Sequence, residues 1–227
     1  MTEQPSDHRF DEATATPISE AAAEPFPWPP AAGAGIVAAW GRTWHGAALQ
    51  PSRFFRAMPR DTAHGPAVLY YLSIGIPVAG AELFWRMTGI TGAMTGTAGA
   101  LGAPAAWSPL LDFLLSPLTL LLTLYVAAGV THLMLLLFSG GGGGAGTTTR
   151  VFAYAYSPQL LGIVPVVGTI VGFVWMVIVG IVGLRAAHRT TLVRAAAAVL
   201  IPLAIGLIIA TLALLLARSG ELLQLPL

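Results

Sequence analysis

Residues 151–184 read VFAYAYSPQLLGIVPVVGTIVGFVWMVIVGIVGL and carry no formal charge. As one helix this block of 34 residues would reach about 51 Å at 1.5 Å per residue. The hydrocarbon core of a bilayer is about 30 Å thick, so the block is too long to cross once. Pro165 and Gly168 fall in its middle and mark the point where the chain can turn back. The block is therefore read as a tight hairpin of two spans, 147–164 and 166–184. The first starts ahead of the apolar run, where the Thr147 hydroxyl can cap free backbone N–H groups. The number of crossings in the whole chain depends on this split.

Three more apolar blocks complete the count, at 66–87, 109–138 and 194–217. The second is long enough for one tilted span with a kink at Pro117. The total is five helices. Arginines then orient them. Arg42, Arg53, Arg56 and Arg60 precede the first span, Arg150 precedes the third, and Arg185, Arg189 and Arg194 lie between the fourth and fifth. With five spans these eight fall on one side, opposite Arg86 and Arg218. This predicts a cytoplasmic N-terminus and a C-terminus outside. Four spans would place Arg185, Arg189 and Arg194 opposite the basic N-terminal segment, so the charge rule favours five independently of length.

Composition agrees. Of the 227 residues, 56% are hydrophobic and 9% charged, against roughly 25% charged in soluble domains. Between Met87 and Thr149 the one formal charge is Asp112. A net charge of +1 without a basic stripe gives nucleic acid little purchase. The chain has no cysteine, which excludes disulfides, thiol catalysis and thiolate metal sites. All eleven basic residues are arginines, so P-loop and Schiff-base lysines are excluded as well. The sequence offers no catalytic set, no metal-ligand spacing and no cofactor motif, and is read as non-enzymatic.

Ahead of the spans lie two different segments. Residues 1–34 hold six of the ten acids and six prolines, and show no apolar periodicity. They are expected to form a disordered tail. Residues 35–62 place Trp40 and Trp44 at helical spacing and then alternate rings with arginines: Arg53, Phe54, Phe55, Arg56. This pattern suggests short amphipathic helices in the headgroup plane, rings in the acyl boundary and guanidinium groups on phosphate. The alternative is a juxtamembrane helix docked on the bundle. Residues 63–227 form the membrane domain. Its outer loop, Thr88 to Ser108, is uncharged, flanked by Trp85 and Trp107, and is expected to be a compact mobile lid.

Four local patterns bear on function. Gly141, Gly143 and Gly146 make a formal G-x-G-x-x-G, but an apolar helix rather than a strand precedes it, so it reads as a flexible turn. Thr147, Thr148, Thr149 and Arg150 then open the next helix, where they could touch lipid phosphate. Glu82 and Arg86 are spaced i,i+4 in the favourable order, and Asp112 falls at the same outer depth. With His132, near the cytoplasmic end of the second span, they are the candidate intramembrane polar groups. They read either as a salt bridge that positions two helices or as the ion path of a small transporter or channel. His132 is expected to hydrogen-bond between helices rather than to bind metal. Gly168 and Gly172 form a small-xxx-small pair for close helix packing, within the chain or between copies.

The order of these features resembles the Yip family of membrane proteins, and its bacterial branch in particular. The resemblance rests on Pro51-Ser52-Arg53-Phe54-Phe55-Arg56-Ala57-Met58-Pro59, on His132 before a glycine-rich turn, and on Arg150-Val151-Phe152-Ala153-Tyr154-Ala155-Tyr156-Ser157-Pro158-Gln159. Ile163-Val164-Pro165-Val166-Val167-Gly168, Trp175 and Ile181-Val182-Gly183-Leu184-Arg185 complete it, over residues 40 to about 217. It implies five spans with a cytoplasmic N-terminus; the chain is read as an inner-membrane protein that acts through contact with other membrane proteins, copies of itself or the lipid bilayer. Eukaryotic relatives act with small GTPases and carry an Asp-Leu-Tyr-Gly-Pro motif, of which Asp112 to Pro117 is a distant echo.

Overall fold

A computed structural model describes residues 26–59, 62–95 and 108–222 of the chain. The expected tail up to residue 25, most of the outer loop with Trp107, and the last five residues lie outside the described residues. The rest is helical: α1 (Ile36–Leu49), α2 (Pro51–Ala57), α3 (Gly65–Met87), α4 (Ile90–Thr95), α5 (Ser108–Leu137), α6 (Gly144–Ala155), α7 (Val167–His188) and α8 (Leu192–Leu222). Among the described residues, α3, α5, α7 and α8 are the four helices long and apolar enough to cross a membrane alone.

The decisive block breaks in two places. The helix expected over 147–164 is α6 followed by a 3-10 segment, Ser157–Ile163. The cause is Pro158, which has no N–H to give the carbonyl of Tyr154 four residues earlier. The Ser157 hydroxyl donates to that carbonyl instead, at 2.6 Å. Beyond the change to 3-10, the chain reverses at Pro165–Val167. The Val167 amide donates to the Pro165 carbonyl at 2.7 Å, and Val166 between them has φ 60° and ψ −70°. That is a γ-turn of the rare, strained kind, at a β-branched residue. Helix α7 begins at once and runs one turn past Leu184, placing Arg185 and His188 at its C-terminal end, where the helix dipole favours cations.

Small residues let the returning helix lie close. A methyl group on Gly168 would sit 1.9 Å from the Leu161 carbonyl oxygen, and one on Gly172 would sit 2.8 Å from that of Pro158. Both glycines are thus used inside the chain, against the 3-10 segment. Helix α6 is the central element. It packs against α1, α3, α5 and α7, and eight of its residues, Thr147 to Val151 and Ala153 to Ala155, are buried.

The N-terminal segment follows the docked alternative rather than placing its rings in the acyl boundary. Helix α1 lies on the bundle through Ala39, Thr43, Ala47 and Ala48. The Trp40 indole donates to the Ser73 hydroxyl at 2.7 Å, and that of Trp44 to the Ser157 carbonyl at 3.0 Å. The rings of Phe54 and Phe55 are 6% and 1% exposed, packed on Tyr154 and Gly183, so they do not enter the acyl boundary. Phe55 faces α7 and Phe54 faces α1 and α6, whereas Arg53 and Arg56 remain exposed. Residues 26–34 also depart from the expected tail. Phe26 and Trp28 are part-buried against the core, where their rings leave water.

Replacing Gly168 by alanine should lower stability by at least about 2 kcal/mol, since only backbone could yield to the methyl group. Val166→Gly, which removes the strained φ, should leave stability unchanged or higher. Thermal melts in detergent followed by circular dichroism check both. A Gly168→Ala protein that melts with wild type would disprove the close approach.

Candidate functional site

Polar side chains gather at the two ends of the bundle. At the end of α3, Arg86 reaches in two directions. Its Nε lies 2.7 Å from Glu82 Oε1 and its Nη1 lies 2.9 Å from Asp112 Oδ2 at the start of α5. One guanidinium thus bridges two acids and ties α3 to α5. The three side chains are 35–63% exposed. The pocket beside them, lined by Ala79, Leu83, Pro109 and Phe113 as well, holds about 70 Å³. That is room for about two waters, far below the 300 Å³ or more typical of a small-molecule site. On the same rim, the Trp85 indole donates to the Ile163 carbonyl at 2.8 Å, closing the end of the 3-10 segment.

His132 does not belong to this group. It lies 20 residues along α5 from Asp112, about 30 Å away. Its Nδ1 is 3.0 Å from Thr148 Oγ1, and the same oxygen is 3.0 Å from His188 Nε2. The Gly143 amide donates to His188 Nδ1 at 3.1 Å. That last bond fixes the direction of the others. With Nδ1 accepting, neutral His188 carries its proton on Nε2 and donates it to Thr148, whose hydroxyl donates to His132. The chain joins α5, the glycine turn, α6 and α7. Two imidazoles and a hydroxyl are not a metal-ligand set, and the described residues contain no group of three His, Cys, Asp or Glu that could hold a metal.

Sequence reasoning missed His188 as the companion of His132. The signal was present: each lies in the last turn or so of a long helix. The threonines are also placed differently from expectation. Thr147, Thr148, Thr149 and Arg150 are 2%, 0%, 8% and 3% exposed, so they face protein and not lipid phosphate. The Arg150 guanidinium donates to the Thr62 carbonyl and, at 2.8 Å, to the Thr62 hydroxyl. It also donates to Thr147 Oγ1 at 3.0 Å. A buried arginine therefore anchors the segment ahead of α3 onto α6. Beside it lies a cavity of about 230 Å³ whose walls include Phe26, Trp28, Met58, Thr62 and Tyr154.

A helical bundle with four apolar, membrane-length helices is a multi-pass membrane protein. The Yip1 domain family model matches residues 46–214. The chain belongs to the Yip family. No curated protein and no solved structure matches it.

The bridging role of Arg86 gives a direct test. Asp112→Asn and Arg86→Gln should each lower stability in detergent, and the double change should restore part of the loss. The expected coupling is about 0.5–1 kcal/mol, the upper range for part-exposed pairs. A double-mutant cycle by thermal denaturation measures it, and zero coupling would show that the bridge does not hold α3 to α5.

Proposed function

We propose that this chain is a non-enzymatic, bacterial-type member of the family, resident in the inner membrane with a cytoplasmic N-terminus. It crosses five times and works by contact with other membrane proteins, copies of itself or lipid, rather than by moving a solute. The observation that carries this reading is the closure of the Glu82–Arg86–Asp112 group on itself over a pocket of about 70 Å³. A transport path needs polar groups facing water through the bundle. Here the two polar clusters lie at opposite ends, and Tyr70, Ile74, Leu124 and Ala128, at depths between them, are 0–2% exposed.

The fifth crossing is α6 with its 3-10 continuation. Twelve α-helical residues and seven 3-10 residues together reach about 32 Å, close to the hydrocarbon thickness. The arginine distribution supports the same count. Contact with partners has surface available to it: α8 is the least buried of the four long helices, with 11% of its apolar window inside the bundle.

Cysteine scanning in this cysteine-free chain tests both parts. In intact cells a membrane-impermeant thiol reagent should label cysteines at Thr88 and Gln224 and spare those at Ser139 and Arg189. Labelling at 189 with protection at 224 would contradict five crossings. A small permeant thiol reagent should label Asp112→Cys but not Ser116→Cys or Ala128→Cys. Equal rates at all three would indicate a water-filled path and favour transport.

A further inference from the structure

The segment Phe26-Pro27-Trp28-Pro29-Pro30 occupies a groove built of aromatic rings at the basic end of the bundle. Phe26 lies 4.8 Å from the Phe54 ring and 5.6 Å, edge-on, from Tyr154. Trp28 lies 5.9 Å from Tyr70, and its indole donates to the Pro66 carbonyl at 2.7 Å. Behind them, Phe54, Tyr154 and Tyr70 stack on one another at 5.3 and 5.5 Å. The groove thus offers one ring-lined slot for each of two aromatic residues spaced i,i+2, and an acceptor at the Pro66 carbonyl for an indole N–H.

The way the segment is held suits reversible binding. Among the described residues, the Trp28–Pro66 bond is its one hydrogen bond to the bundle, and no backbone amide of residues 26–30 bonds to it. Pro27, Pro29 and Pro30 have no N–H to give and have φ fixed in advance, so little entropy is lost on docking. The segment is followed by Ala31-Ala32-Gly33-Ala34-Gly35, in which Gly33 has φ 84°, a short hinge into α1. The cavity of about 230 Å³ beside Met58, Thr62 and Arg150 is walled on one side by Phe26, Trp28 and Pro29. Departure of the segment would open the slots and this cavity together.

We propose that this groove is a docking site for a proline-rich segment carrying two aromatic residues at i,i+2, and that residues 26–30 are its built-in competitor. The bound segment itself shows the chemistry the groove accepts. A short tether gives its own segment an effective concentration in the millimolar range, so a partner gains the site only by exceeding that or by drawing the strap away. The acidic residues 1–25 are attached directly to the strap and give a basic partner a handle for doing so.

The test uses the full chain in detergent and a fluorescent peptide with the sequence of residues 24–32. The variant Phe26→Ala/Trp28→Ala should bind the peptide at least tenfold more tightly than wild type in an anisotropy titration. A peptide with alanine at both aromatic positions should not bind. In a second measurement, bimane on Ala31→Cys in the otherwise native chain should gain mobility when the unlabelled peptide is added at millimolar excess. Equal binding to wild type and variant, or no binding to either together with no bimane response, would overturn the proposal. Binding of the alanine peptide as tightly as the native one would overturn it too, since the slots would then not be the site.

Discussion

In hydrocarbon there is no water to satisfy a backbone group, so each carbonyl left outside a helical ladder needs a partner from the protein. Pro158 leaves the Tyr154 carbonyl without its i+4 donor, and the Ser157 hydroxyl supplies the missing bond. The rest of the bundle is arranged around this joint. Because the Ser157 hydroxyl donates to Tyr154, it accepts from Tyr70 of α3, 2.8 Å away. The Ser157 carbonyl accepts from Trp44 of α1. One serine thus ties the interrupted central segment to two other helices. The 3-10 segment that follows is narrow enough for α7 to approach through Gly168 and Gly172.

The same requirement explains the tryptophans. Trp85 caps the Ile163 carbonyl at the end of the 3-10 segment, and Trp175 caps the Ala48 carbonyl in the last turn of α1, both at 2.8 Å. These are orphan acceptors of helix ends, and an indole brings a donor with enough apolar surface to remain in the membrane. Helix α1 is held at three points in this way, by Trp40, Trp44 and Trp175. It packs beside the crossing helices as part of the bundle.

Long apolar runs made α3, α5, α7 and α8 legible from sequence, because membrane-spanning helices have a minimum length that no short motif imitates. The chain reversal near Pro165 was legible for the same reason. The role of Pro158 was not, since a proline with a serine before it keeps the chain direction while altering the helix type, and sequence does not distinguish that from a turn. The faces of Phe54 and Phe55 were also hidden: a ring facing lipid and a ring facing Tyr154 and Gly183 share one hydropathy. His132 was legible as a polar group in an apolar helix. Its link to His188 depends on a hairpin that brings together residues far apart in sequence, and Phe26 and Trp28 were masked by the acidic, proline-rich composition around them.

The central claim is that Ser157 is needed because Pro158 is there. A double-mutant cycle of Ser157→Ala with Pro158→Ala, read by thermal denaturation in detergent, tests it most directly. An alanine at 158 restores an N–H for the Tyr154 carbonyl, so losing the serine hydroxyl should cost at least about 1 kcal/mol less in that background than in wild type. An equal cost in both backgrounds would contradict the account, because the serine would then owe its importance to Tyr70 alone.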